Sequence, residues 1–379
     1  MVLEKINKDL YQKGISNRKL AAMLNTSHSS INAMLSGQRG FEFSIFAGIL
    51  NFLYPDKHEL RKEEIYKFCD ENDRKDNLQL ELEYANLKGE LDLMNILIEK
   101  GKVSSNELNR DFATVYELLY IRNAELETKE EYLQKVRNTI KSLTLKTATK
   151  KVTMEVEILL EFALIYAFLD IGDFELVHEY TKKLEPLIKS VKNKYFRCTF
   201  EIRKNEMLAS CLHKDNKIEQ SRKICEKIIN DERNYFPLTK AIAYGIIGES
   251  FILTDFSKSK YYLEKSLQYV ENPYNKKMKY RYLKIKNTLD FLHIHWKVDL
   301  DKINPSDPEE QAYLHIQRGY IAKAIEILKG IRKKSKSVSP FWMYYWGVAT
   351  GDREMLKKSA FEFVRTKNPY YAKLPQDKL

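Results

Sequence analysis

Two groups of side chains in this 379-residue chain have types and spacing that could do chemistry, and in both cases the chemistry is recognition. The first lies in NTSHSSINAMLSG, residues 25–37, where Ser27, His28, Ser29 and Asn32 stand among Ile31, Met34 and Leu35 at helical spacing. Short hydroxyl and amide groups can meet base edges or phosphates, and an exposed helix N-terminus favours a phosphate oxygen. Gln38 and Arg39 follow in a loop suited to backbone contact. The second group comprises Arg203 and Asn205 in RCTFEIRKNEMLA, with Arg281 and Asn287 in KMKYRYLKIKNTLDF. A carboxamide donates and accepts at once, so it can pair with an extended peptide backbone, while a guanidinium can hold a terminal carboxylate. The plainer alternatives are a helical hairpin that touches nothing, and ordinary solvent-facing residues on helices.

Catalytic patterns are missing. No phosphate loop, G-x-S-x-G, H-E-x-x-H or dinucleotide fingerprint occurs, so neither an enzyme nor a cofactor is expected. His293 and His295 in FLHIHW are two apart in a predicted helix, which sends them to different faces, so no metal site is expected there. Cys69, Cys198, Cys211 and Cys225 are too widely spaced for a tetrahedral site and read as reduced, buried thiols. PFWMYYWG, residues 340–347, could be a stacking platform, but an inter-helix core is the expected reading.

The elements that must position these residues are helices. Thirteen Gly and nine Pro are few for this length, which argues against many β-turns, and almost no strand is expected. Ser16 is suited to cap a short helix carrying Leu20, Ala21 and Leu24, with Ala21 and Ala22 small enough for a close crossing. Thr26 or Ser27 caps the next helix, and Gly37 ends it where φ > 0 is tolerated. LAAMLNTSHSSINAMLSG thus resembles a lambda-repressor-like helix-turn-helix. Ala33 offers no readout, so two copies on a palindrome would be the natural way to gain affinity.

Beyond YPDKHEL, amphipathic helices recur after polar turns. Asp173, Asn216 and Asp255 lie about 40 residues apart, and Gly319 and Gly351 about 32 apart. This spacing predicts seven to nine tetratricopeptide-like helix pairs, roughly counted, stacked as a right-handed superhelical array with a concave inner face. In AIAYGIIGESFILTDFSKSKYYLEKSL, Ala243, Gly248 and Ser259 supply small residues at the crossings. The expected organisation is all-α: a helix-turn-helix domain over 1–55, a linker helix over 56–75, the array over 76–368, and a tail over 369–379 that frays or lies on the surface.

A net charge of +11 permits a polyanion partner without identifying one, because residues 1–60 hold seven Lys/Arg against five Asp/Glu. MVLEKINKDL lacks the apolar run of a signal peptide, and no segment approaches 18 uninterrupted apolar residues. A cytoplasmic protein with no membrane partner is expected.

The order of these parts resembles the peptide-sensing transcription regulators of Gram-positive bacteria and their mobile elements, the RRNPP family. FEFSIFAGILNFLYPD through YKFCDENDRKDNLQLELEYANLKGELDLMNILIEKG is similar to the arbitrium receptors of Bacillus phages, notably the YP after an apolar helix, YKFC, and LEYAN before LIEKG. The resemblance implies a homodimer that binds double-stranded operator DNA without peptide and loses that activity when a re-imported oligopeptide of about six residues enters the groove, favouring lysogeny. It also implies asparagines clasping the peptide backbone, of which Asn205 is the best match. The dimer contact in relatives uses a leucine-rich C-terminal helix, from which AKLPQDKL departs. Two rival readings share the architecture: a host quorum-sensing regulator, and a protein-binding scaffold that has lost DNA binding. The physical scheme the resemblance suggests is a shift between two array curvatures, one favoured by DNA and one by peptide.

Overall fold

The computed structural model describes residues 2–55, 57–71, 77–146, 152–231, 236–335 and 337–379. Among them the chain is all helix and turn, with no strand. Five helices lead: α1 (Val2–Gln12), α2 (Asn17–Met23), α3 (His28–Leu35), α4 (Phe43–Leu53) and α5 (His58–Glu71). Helix pairs follow in chain order: α6 (Asn77–Lys88) with α7 (Leu91–Lys102), α8 (Glu107–Asn123) with α9 (Lys129–Lys146), and α10 (Met154–Ile171) with α11 (Phe174–Ser190). Next come α12 (Lys194–Lys214) with α13 (Ile218–Ile229), α14 (Pro237–Phe251) with α15 (Phe256–Gln268), and the long single helix α16 (Lys276–Trp296). The series ends with α17 (Pro308–Gln317) and α18 (Ile321–Lys334), α19 (Pro340–Thr350) and α20 (Arg353–Arg365), and a short α21 (Lys373–Gln376). The chain divides into two compact units, Met1–Ala167 with Pro186–Phe200, and Phe168–Glu185 with Glu201–Leu379. The expected border between linker and array, at residue 75, lies outside the described residues.

In the first unit the amide of Asn77 ties the N-terminal helices to the first pair. Asn77 Oδ1 accepts the Phe43 N–H at 2.9 Å, and Asn77 Nδ2 donates to the Phe41 carbonyl at 3.0 Å. Phe46 stacks on Phe68 at 4.2 Å and Phe43 meets the edge of Tyr84 at 5.3 Å, so α4, α5 and α6 share one aromatic core. α6 is buried almost all round, and two of its polar residues are bonded from α8: Tyr116 donates to Glu83 at 2.6 Å, and Asn123 donates to Asn86 at 3.1 Å.

The second unit shows why small residues recur at fixed places. A Cβ on Gly248 would lie 2.7 Å from Leu263 Cγ, so only glycine lets α14 and α15 approach this closely. Gly347 repeats the arrangement against Leu356, again at 2.7 Å. Serines on the second helix of a pair then donate to carbonyls on the first: Ser221 to Ala209 at 2.7 Å, Ser259 to Gly248 at 2.9 Å, and Ser359 to Pro340 at 2.8 Å. The turns match the predicted spacing. Asp173, Asp255 and Asp352 each cap the following helix, while Asn216, Gly319 and Gly351 take positive φ.

Three expectations are corrected. The tail does not fray, because Tyr370, Tyr371, Ala372 and Leu374 are buried. Tyr370 donates to the Ser250 carbonyl at 3.0 Å and Tyr371 to Glu249 at 3.3 Å, anchoring the chain's end to the last turn of α14. Pattern reading missed this because the partners are about 120 positions away. Ala22 is exposed, so Ala21 alone serves the close crossing of α2. Cys198 is only half-buried, whereas the other three cysteines are buried, and burial pushes the Cys211 and Cys225 thiols up to about 12. PFWMYYWG is core, as expected, with Trp342, Tyr344 and Tyr345 buried. No described helix is long and apolar enough to cross a membrane.

Candidate functional site

The first candidate site is built by α2 and α3. Ser16 Oγ accepts the Lys19 N–H at 3.2 Å and Ser27 Oγ accepts the Ser30 N–H at 3.1 Å, which decides between Thr26 and Ser27 as the second cap. Asn25, at φ +50°, makes the turn, and Gly37, at φ +77°, ends α3. The Arg39 N–H returns to the Ala33 carbonyl at 3.0 Å, folding the loop back against the helix. Leu20, Ala21, Ile31, Met34 and Leu35 are buried, leaving Ser27, His28, Ser29, Asn32, Gln38 and Arg39 all exposed.

These side chains form a connected face. Asn17 Nδ2 donates to Asn32 Oδ1 at 2.7 Å, Asn32 Nδ2 lies 3.5 Å from His28 Nδ1, and the Ser27 and Ser29 hydroxyls are 3.1 Å apart. Asn17 therefore fixes the amide orientation of Asn32 from the neighbouring helix. Sequence reasoning did not select Asn17, though NRKL, with Arg18 and Lys19 exposed beside it, signals a polar edge on α2.

The second candidate site lies on α12, α14 and α16 of the second unit, and the structure divides the four predicted residues. Arg203 is buried, at 2% exposure, on α12. Asn205 is half-buried. Arg281 is partly accessible, yet desolvation lowers its pKa while the charges of Glu206 and Glu249 oppose that shift. Asn287, six residues on, points elsewhere and lies 3.5 Å from the Ser306 hydroxyl.

Around Arg281 the fold gathers groups that sequence reasoning did not select. His213 Nε2 is 3.9 Å from Glu249 Oε2, and burial pushes this histidine toward its neutral form. Desolvation works to raise the Glu249 pKa, but His213, Lys284 and Lys214 outweigh it and hold the carboxyl below its usual range. Lys214 is itself lowered, first by desolvation and then by Lys284. The resulting surface carries Arg281, Lys284 and Lys214 beside Glu206 and Glu249, with Tyr371 closing one side. The signal in the sequence was a charged end to an apolar helix, CLHK, but its significance depends on the distant tail.

The paired histidines take different faces: His293 packs on Phe256, and His295 stacks on Phe291 with Nδ1 3.1 Å from the Tyr313 hydroxyl.

Comparison with known proteins adds identity to this geometry. A curated relative, the AimR transcriptional regulator of Bacillus phage phi3T, is 24% identical over 335 residues, spanning 86% of this chain and 82% of its own length. An uncharacterized protein of Bacillus anthracis is 28% identical over 229 residues, 60% of this chain and 85% of that protein. The solved structure of selenomethionine phAimR aligns with a TM-score of 0.77 at 21% identity, covering 100% of this chain and 96% of the other. The structure of phAimR with its ligand aligns with a TM-score of 0.70 at 22% identity, covering 88% and 95%. Both share the fold. The AimR transcriptional regulator-like family matches residues 61–379, most of the chain, and the protein belongs to that family of transcription regulators.

Proposed function

We propose that this protein binds operator DNA through α3 as a homodimer, and that a short oligopeptide bound against the charged residues of α12, α14 and α16 controls that binding. The observation that carries the DNA reading is the exposed face of His28, Ser29 and Asn32 on a capped helix, with Asn32 held between His28 and Asn17. Such a face can present amide and imidazole groups to base edges while the helix N-terminus and Ser27 approach a phosphate. Gln38 and Arg39 extend the contact along the backbone.

For the peptide, Arg281, Lys284 and Lys214 offer charge to a terminal carboxylate, and Glu206 and Glu249 offer it to a cationic group. Asn205, half-buried on α12, supplies an amide for the peptide backbone, whereas Asn287, turned toward Ser306, takes no part in this reading. Arg203, buried, supports the helix and makes no direct contact in this reading. Coupling requires the peptide to prefer the state that DNA does not, and about 1–3 kcal/mol would be ordinary.

The test is a titration of synthetic hexapeptides encoded beside the gene into a pre-formed complex with promoter DNA. Peptide should release the DNA; unchanged affinity at saturating peptide removes the coupling. Asn32→Ala should weaken operator binding by roughly 1–3 kcal/mol without changing the fold, and Arg281→Ala should weaken only the peptide response. The family supports control of the phage lysis–lysogeny choice as the biological setting. The relative from Bacillus anthracis, a bacterium, favours a second reading in which a host regulator uses the same architecture. A peptide-precursor gene next to phage lysis–lysogeny genes decides for the first.

A further inference from the structure

A depression among α18, α19 and α20 plays no part in the reading above. It encloses about 430 Å³, inside the range of roughly 300–1,000 Å³ usual for small-molecule sites. Its floor is apolar. Trp342 and Trp346, one turn apart on α19, stack at 5.2 Å, and Met343 and Met355 fill the space beside them. Trp342 donates its indole N–H to the Leu328 carbonyl at 3.0 Å, which fixes the aromatic wall, while the thioether chains can adapt to a guest.

The rim is cationic. Lys329, Arg332, Lys333 and Lys358 line the opening, and no carboxylate is among the lining residues. None of the four takes part in an ion pair among the described residues. The carboxylate of Glu362, near Lys358, is held by Arg365 through bonds of 2.7 to 3.0 Å. Four cations around an apolar floor, with no carboxylate in the lining, select a ligand with one anionic end and an apolar body.

We infer that this pocket binds a single-chain amphiphilic carboxylate, its chain against Trp346, Met343 and Met355 and its head between Arg332, Lys333 and Lys358. A nucleotide fits less well. The lining side chains offer no acceptor for a base's N–H groups, and each indole already gives one face to the other.

The test uses the full-length protein and decanoate, followed by calorimetry, with decanol, decyltrimethylammonium and AMP as comparison ligands. Decanoate should bind saturably at one per chain, at least tenfold tighter than decanol, and the quaternary ammonium should not bind. The double variant Arg332→Glu/Lys333→Glu should weaken decanoate at least tenfold with an unchanged melting temperature, because both residues are exposed. Trp346→Phe should keep binding while removing much of the ligand-induced change in indole fluorescence. The inference fails if decanoate shows no saturable binding, if decanol matches it, if AMP binds more tightly, or if the double variant binds as well as the parent. It also fails if sedimentation shows a second copy covering the pocket, with the double variant dissociating that assembly and decanoate remaining unbound. Operator and hexapeptide binding are measured by separate assays, so failure here leaves the transcriptional reading intact.

Discussion

The α2–α3 hairpin and the α14–α15 pair are both two helices joined by a tight turn, yet they are held by opposite means. In α14–α15 the helices touch at Gly248 and exchange Ser259 and Ser266 hydroxyl bonds with opposing carbonyls, so small residues are committed to packing. In α2–α3 the small polar residues Ser29 and Asn32 face outward, and apolar burial rests on Leu20, Ala21, Ile31, Met34 and Leu35. The same residue types thus build an interior in one place and a recognition surface in the other. The difference lies in which face of the helix has a partner.

That contrast can be broken at its strongest point, the end of the chain. Tyr371→Ala should destabilise the second unit by roughly 3–5 kcal/mol, the usual loss for a truncated buried aromatic, because Tyr371 is 4% exposed and donates to Glu249. Urea melts measure it, and a loss under 1 kcal/mol would show the tail to be an accessory.

Gly248→Val is next. It should cost roughly 1–3 kcal/mol by overpacking, since the Leu263 backbone N–H and side chain leave no room for a Cβ. Gly330 on α18 provides the control: nothing lies within 4 Å of its Cβ position, so Gly330→Ala should stabilise by about 0.4–1 kcal/mol. Equal effects at the two sites would refute the close-approach account.

A pH series sharpens the comparison further. Burial, as the main cause, raises the Glu310 carboxyl to about 8 from 4.5, although the Tyr345 hydroxyl bond at 2.9 Å pulls the other way. The folded chain keeps this proton where the unfolded chain has lost it, so it binds more protons between those two pH values. Stability contributed here is full below pH 4.5 and declines as pH rises toward 8. Glu310→Gln should flatten that decline in denaturant melts recorded from pH 5 to 8. The exposed α3 face has no such buried carboxyl and should contribute no slope of this kind.

The smallest loss is expected at the cap. Ser27→Ala should cost about 1 kcal/mol by freeing the Ser30 N–H, measured as a shift in urea midpoint. It should also reduce operator affinity if the helix N-terminus meets a phosphate.

Much of the fold was legible because its signals are local. Capping residues, φ-positive positions and small residues at crossings each act within one helix pair, and Asp173, Asp255 and Gly248 occupy the roles their spacing implied. The α3 surface was legible for the same reason: once Ile31 and Met34 are buried, helical geometry leaves Ser29 and Asn32 outside. The burial of Arg203 was not legible, because its sequence neighbours say nothing about which face α12 buries.

The sequence by itself determined the helical class, the capped hairpin at the N-terminus and the beat of the repeats, since these depend on interactions a few residues long. Only the tertiary structure decided that Tyr370 and Tyr371 close onto α14, that His213, Glu249 and Arg281 share one desolvated surface, and that two tryptophans line a cation-rimmed pocket. Desolvation and charge pairing act through space, and their strength depends on neighbours contributed from far along the chain.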